Sequence, residues 1–203
     1  SFSTPKIDEN LSDNNVIVEE YCEGQSYADF KNKASKKEQD LVEKKLQKIS
    51  INEIFKYDFW HADKHDGNIF IDQKNGKLII NFIDNGLCGT LSDQKNKQLL
   101  QNIILQSINP IQHKAFYMNV FKRFLPENIF QSNEKNLRES IDNVIAAEPK
   151  QKPLQIINLL DRLNGYETPE NLTRILIATS KMHFLYKLKP GNIREYMRVI
   201  TNQ

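Results

Sequence analysis

The chain has 203 residues, enough for one large domain or two small ones, with a core that needs no disulfide or metal staple. Lys and Arg number 28 against 26 Asp and Glu, and the formal net charge of +2 gives no electrostatic argument for nucleic acid or an anionic membrane. A mean hydropathy of −0.60 with 39% hydrophobic residues lies outside the disordered range. Cys22 and Cys88 stand far apart with no C-x-x-C, and no apolar run approaches the roughly 18 residues of a membrane span. The chain opens on Ser1-Phe2-Ser3-Thr4-Pro5, without an initiator Met and with neither an apolar leader core nor an Arg-rich amphipathic start. This reads either as the loss of a leader or, the reading favoured below, as a piece of something longer.

Residues 1–15 lack apolar periodicity and read as a loop or arm. Val16-Ile17-Val18 opens a strand of about four to six residues that stops at Glu23-Gly24. From Ser35 the pattern turns helical, with Leu41, Val42, Leu46, Ile49, Ile54 and Phe55 on an irregular apolar face. The charges of Lys36, Lys37, Glu38, Glu43, Lys44 and Lys45 then face water. Phe59 to Asn68 (FWHADKHDGN) is too polar and crowded for a helix or a strand. Asn68–Asp72 and Lys77–Asp84 are β-rich runs around Gln73-Lys74-Asn75-Gly76, and Asn-Gly predicts a hairpin because both positions tolerate positive φ.

Everything after Ser92 reads as helix. Leu100, Ile103, Ile104 and Ile108 recur at helical spacing, and Pro110 restarts a helix bearing Phe116, Val120, Phe121 and Phe124. Helices near 134–147 and 153–164 follow, the second closed by Gly165. Thr168-Pro169-Glu170 reads as an N-cap with Pro at the first helical position, opening an apolar core helix through Leu172, Ile175, Leu176, Met182 and Leu185. Pro190-Gly191 breaks it before a last helix, Ile193 to Ile200. Cys22, Cys88 and Trp60 read as core residues.

The chemistry gathers in two loops, His61-Ala62-Asp63-Lys64-His65-Asp66-Gly67-Asn68 and Asp84-Asn85-Gly86, joined by the hairpin. Positions equidistant from Asn75-Gly76 face each other, so Asn68 falls near Ile83 and Asp84 lands beside Gly67 and Asn68. An amide oxygen and two carboxylates, Asp63 and Asp84, then converge. Hard oxygen ligands in small number, leaving room for water and phosphate, suit Mg²⁺. The step from Asp63 to Asn68 lets one loop offer both a base and a metal ligand, the pairing that phosphoryl transfer requires. A metallohydrolase would also crowd His61, Asp63, His65 and Asp66 into one loop. That order offers no H-x-H pair, and His113 and His183 fall in helical patterns where hydrogen-bonded histidines are expected.

H-x-D-x-x-x-x-N, a hairpin and D-x-G resemble the catalytic and metal loops of the protein-kinase-like fold. The wider string FWHADKHDGNIFID…GKLIINFIDNGLCGTLS is similar to the UbiB-type atypical kinases, the aarF-domain kinases linked to ubiquinone biosynthesis. Val16-Ile17-Val18-Glu19-Glu20-Tyr21-Cys22-Glu23-Gly24 resembles the kinase strand and hinge. The resemblance covers roughly residues 15–95. It implies an α+β, mostly helical fold: residues 16–203 as a kinase-like C-lobe beginning at the hinge, after an arm at 1–15, with a short β-hairpin carrying the metal-binding loop. It implies ATP and Mg²⁺ as cofactors, Asp63 as catalytic base or nucleophile-orienting acid, and Asn68 and Asp84 on the metal. The backbone of Glu20 and Cys22 would face adenine, His61 would brace the loop, and Gly86 would free the chain after Asp84. A bacterial membrane or a mitochondrion is the setting the family suggests.

Lys64 and Asp66 stand where the family has Pro, Asn85 where an aromatic packs beneath the metal loop, and Glu19 where an apolar gatekeeper is expected. No Gly-rich or Ala-rich nucleotide loop, strand Lys or partner Glu is assignable, so the chain reads as a C-lobe without its N-lobe. The partner implied is therefore that N-lobe or another chain covering its site. The alternative is a non-catalytic, pseudokinase-like fragment serving as a structural subunit of a larger assembly.

Overall fold

The order of strands in space differs from their order along the chain, and this brings the front of the sequence onto the hairpin. The computed structural model describes residues 2–61, 63–108, 114–182 and 185–187. β1 (Phe2–Ser3) and β2 (Gln25–Ser26) precede α1 (Tyr27–Lys33), α2 (Lys36–Phe55) and β3 (Phe59–His61). The hairpin β4 (Ile69–Lys74) and β5 (Lys77–Phe82) follows, then β6 (Cys88–Thr90). The helices α3 (Gln94–Ile108), α4 (Lys114–Phe124), α5 (Glu127–Ala146), α6 (Lys152–Leu160) and α7 (Glu170–Lys181) come last. The fold is α+β and mostly helical, as the sequence indicates. Among the described residues no helix is long and apolar enough to cross a membrane. The described residues fall into two compact units, one from Ser1–Val42 and Asp63–Cys88, the other from Glu43–Ala62 and Gly89–Gln203.

In the first unit Asn75 and Gly76 take φ of 52° and 71°, the paired positive values of a two-residue hairpin turn. The register runs from Lys74↔Lys77 to Ile69↔Phe82 without a slip, as equidistance from the turn predicts. β2 pairs antiparallel with β4 (Gln25↔Ile71, Ser26↔Phe70), and β1 pairs parallel with β5 (Phe2↔Ile80, Ser3↔Asn81), giving the order β1-β5-β4-β2. Tyr27, Phe30, Val42, Ile69, Ile71, Ile80 and Phe82 are buried in this unit. Each large apolar side chain removed from water contributes about 2 kcal/mol.

Two expectations fail here. The arm is not all loop, because Phe2–Ser3 forms the edge strand β1 and the Phe2 ring meets Phe82 edge-on at 6.4 Å. The run from Val16 to Gly24 is not a strand. Its one bridge is Ile7↔Glu19, flanked by Asp8 N–H donating to Val18 O at 2.8 Å and Glu20 N–H to Lys6 O at 2.9 Å. Local side chains capture the backbone instead: Asp13 Oδ1 accepts from Val16 N–H at 2.8 Å and Ser12 Oγ from Val18 N–H at 2.9 Å. Val16 and Ile17 stay exposed, so nothing rewards their extension.

In the second unit α3 packs on α4, α4 on α5, α5 on α6 and α6 on α7. Leu46, Leu100, Ile104, Phe121, Leu137, Ile141, Leu160, Leu172 and Leu176 are buried within it. Phe59–His61 is a strand after all, pairing with β6. Gly89 explains this, since a Cβ there would stand 2.8 Å from the buried Trp60 indole, so only glycine lets β6 lie against the ring. Leu41 is exposed, and Cys22 and Cys88 are half-buried free thiols, none of them core residues. α5 begins at Glu127, earlier than the pattern indicates, with Pro126 as its cap and Phe130 buried. α6 ends at Leu160, short of Gly165, which nonetheless takes φ 75°. Pro169 caps α7 while the Thr168 hydroxyl donates to Asp161 Oδ1 at 2.8 Å. That helix stops at Lys181, where Met182 leaves the helical region with ψ 61°. Pro110, His113, His183, Pro190-Gly191 and the helix expected at 193–200 lie outside the described residues.

Gly24 takes φ 105°, and a Cβ there would stand 2.4 Å from the backbone oxygen of Ile71, whereas a Cβ on Gly76 would meet nothing within 4 Å. Gly24→Ala is expected to lower stability by about 3 kcal/mol and Gly76→Ala by about 1 kcal/mol in urea unfolding. Equal losses would contradict this account of how the segment after Cys22 is seated on β4.

Candidate active site

The loop from Asp63 to Asn68 is wound tightly by its own backbone. His65 N–H donates to Asp63 O at 2.9 Å, and Asn68 N–H donates to His65 O at 3.0 Å. The Asn68 side chain closes the loop, its Nδ2 donating to Asp63 O at 3.2 Å and to Asp63 Oδ2 at 3.3 Å. On the other side Ile83 N–H donates to Asn68 O at 3.0 Å, carrying the β4–β5 ladder one step past its last pair. Asn68 is therefore fixed from both directions and buried. With Nδ2 turned to Asp63, the carbonyl Oδ1 is the amide's other end, a hard neutral oxygen.

Asp84 follows immediately after that ladder bond. Its backbone is left-handed, with φ 59° and ψ 68°, a conformation Asp tolerates better than most residues but still at some strain. The freedom expected of Gly86 is therefore exercised at Asp84 itself, and Gly86 sits in a one-turn 3₁₀ segment, Asn85–Leu87. The Asp84 carboxylate is exposed and makes no hydrogen bond or ion pair with the described residues. Asn85 is exposed as well, so no side chain at that position packs beneath the loop.

The two charged loop residues Lys64 and Asp66 each have an electrostatic seat. Lys64 is fully buried with its ammonium 4.9 Å from the centre of the Phe82 ring. Asp66 pairs with Lys31 of α1, whose ammonium also lies 5.0 Å from the Tyr27 ring centre. Gly67 N–H donates to His65 Nδ1 at 3.0 Å, and His65 Nε2 lies 3.7 Å from Asp63 Oδ2. Among the described residues no three His, Cys, Asp or Glu side chains are grouped to hold a metal ion.

Glu20 and Cys22, expected at a hinge, are placed differently from the loop. Glu20 is tied to the arm twice, its N–H donating to Lys6 O at 2.9 Å and its Oε2 accepting from Lys6 N–H at 3.2 Å. Burial pushes the Cys22 thiol up from its ordinary range, and the Glu19 and Glu20 carboxylates add to that shift. His61 is buried at the end of β3 in the second unit. The structure thus brings Asp63 and Asn68 together and sets Asp84 at the open end of the same hairpin. Sequence reasoning gave no role to Lys31, Phe82 or the seat of His65. An Asp two residues before a second loop His and a Gly two residues after it was the available signal.

Residues 1–142 match the ABC1 atypical kinase-like domain. The chain is 35% identical over 105 residues to a probable protein kinase UbiB from Marinobacter nauticus, covering 49% of this chain and 19% of that protein. It is 28% identical over 159 residues to a probable protein kinase UbiB from Actinobacillus pleuropneumoniae serotype 5b, covering 76% of this chain and 28% of that protein. The chain thus spans less than a third of the length of these relatives.

The left-handed backbone at Asp84 separates two roles of that residue. Asp84→Gly is expected to match or slightly exceed the parent in urea unfolding, while Asp84→Ala falls about 1 kcal/mol below the glycine variant. Equal stability of the two variants would show that Asp84 carries no backbone strain.

Proposed function

The chain belongs to the ABC1 atypical kinase-like family, and on that premise we propose that it carries the catalytic and metal-binding loops of an ATP- and Mg²⁺-dependent phosphotransferase or ATPase. The observation that supports this most is the closure of Asn68 on Asp63, with Asp84 one residue beyond the bond that ties Asn68 to β5. Asp63 orients the attacking hydroxyl or water and accepts its proton. Asn68 Oδ1 and the Asp84 carboxylate hold Mg²⁺, two hard oxygens that leave positions for water and phosphate. When bound, the ion neutralises charge developing on the β and γ phosphate oxygens. The Glu20 carbonyl and the Cys22 amide face adenine, since Glu20 N–H is already committed to Lys6. Ubiquinone metabolism is the setting the family suggests.

The upper half of the nucleotide site comes from an N-lobe or a partner chain, with residues 16–203 as the C-lobe. Phe2, Ile7, Leu11, Val16, Ile17 and Tyr21 are exposed large apolar side chains within the first 21 residues, a surface suited to burial by such a covering segment. The same surface suits the second reading, a non-catalytic subunit held in a larger assembly. Calorimetric titration of the natural polypeptide with Mg·ATP separates the two. The catalytic reading expects measurable affinity that Asp84→Ala weakens about 100-fold or more. Unchanged affinity in Asp84→Ala overturns the metal assignment, and no affinity in the parent favours the non-catalytic subunit.

A further inference from the structure

Beside Asp63 the loop holds a second arrangement that the phosphotransferase reading does not use. Gly67 N–H donates to His65 Nδ1 at 3.0 Å. A Cβ on Gly67 would stand 3.0 Å from Cε1 and 3.1 Å from Nδ1 of that ring, so the absence of a side chain is what lets the imidazole lie so close to the backbone. In a neutral imidazole one nitrogen accepts and the other donates. With Nδ1 accepting from Gly67, the proton sits on Nε2. That nitrogen lies 3.7 Å from Asp63 Oδ2, the same oxygen that receives Asn68 Nδ2 at 3.3 Å. The His65 side chain is 49% exposed and that of Asp63 only 15%, so the ring stands on the solvent side of the carboxylate.

We infer that His65 is a positioning residue for Asp63. Gly67 fixes the tautomer that aims Nε2–H at Oδ2, and His65 and Asn68 together restrain rotation of the carboxylate about its last bond. The contact is longer than a hydrogen bond, and such contacts shorten when substrate closes a site. The inference rests on the reading of Asp63 as the group that orients the nucleophile. Restraint of that kind acts on orientation in the transition state, so its loss lowers kcat more than it changes KM.

Two substitutions separate this role from simple support of the loop. His65→Asn keeps an acceptor near Nδ1 for the Gly67 amide but ends short of Asp63. His65→Gln gives up that acceptor but reaches toward Asp63 with an amide donor. The experiment measures ATP hydrolysis by the natural polypeptide, together with long-range ¹H–¹⁵N spectra of the His65 ring in this chain. His65→Asn and Gly67→Ala are each expected to lower kcat about tenfold or more with KM within about twofold, while His65→Gln stays within about threefold of the parent. The spectra are expected to show the Nε2–H tautomer in the parent and a loss of that bias in Gly67→Ala. Parent-like turnover in His65→Asn with loss in His65→Gln, or an Nδ1–H tautomer, overturns the inference. If Asp63→Asn loses turnover while His65→Asn does not, the inference alone fails. If Asp63→Asn keeps turnover, or the parent has none, the phosphotransferase reading fails and takes this inference with it.

Discussion

The candidate site depends on how one amide is held. Asn68 receives the end of β5 through its backbone oxygen and gives its side-chain amide to Asp63, so a sheet ladder and a polar loop meet in a single residue. A buried residue bonded through both its backbone oxygen and its side-chain Nδ2 is held firmly, because releasing either contact leaves a polar group without water. That rigidity carries the hairpin's register into the loop. Once Asn75-Gly76 fixes which residues of β4 and β5 face each other, the positions of Asp63, Asn68 and Asp84 along the open end follow.

Two charged residues of the loop, Lys64 and Asp66, are each held by a side chain outside it. Lys64 places its ammonium on the Phe82 ring, and Asp66 is drawn to Lys31 on α1. The first contact anchors the loop to the last residue of β5, next to the turn that carries Asp84. The second couples it to α1, the helix that follows β2. Proline restricts the unfolded chain as well as the folded one. A cation over a ring and a half-exposed ion pair act only in the folded state, and the ion pair weakens with salt.

Much of this was legible in the sequence, for physical reasons. Asn-Gly flanked by β-branched runs has few alternatives to a tight hairpin, and its period of two fixes the register. The described helices after Ser92 were legible from apolar spacing, although their ends were not: Pro126 caps a helix that composition starts several residues later, and Pro169 is the cap of a helix that composition starts one residue earlier. The stretch from Val16 to Gly24 looked like a strand by propensity. Ser12 and Asp13 hold its backbone instead, and no neighbouring sheet buries Val16 or Ile17. Phe59–His61 looked too polar for a strand, and the missing information was a glycine at position 89 that admits the Trp60 ring. At the site, residue identity pointed to Asp63, Asn68 and Asp84. That Asp84 rather than Gly86 takes the left-handed backbone, and that Gly67 seats an imidazole, are facts of three-dimensional clearance that no spacing rule contains.

The central claim is that Asn68 and Asp84 serve one divalent ion at the hairpin's open end. Replacing Mg²⁺ by paramagnetic Mn²⁺ in the presence of ATP tests it directly, read as line broadening in the NMR spectrum of the isotopically labelled chain. The account predicts that the Asn68 side-chain amide and the backbone amides from Ile83 to Gly86 broaden together at the same low Mn²⁺ ratio, and that Asp84→Ala removes both effects. Broadening near Asp84 with a sharp Asn68 amide, or broadening centred elsewhere in the chain, would contradict it.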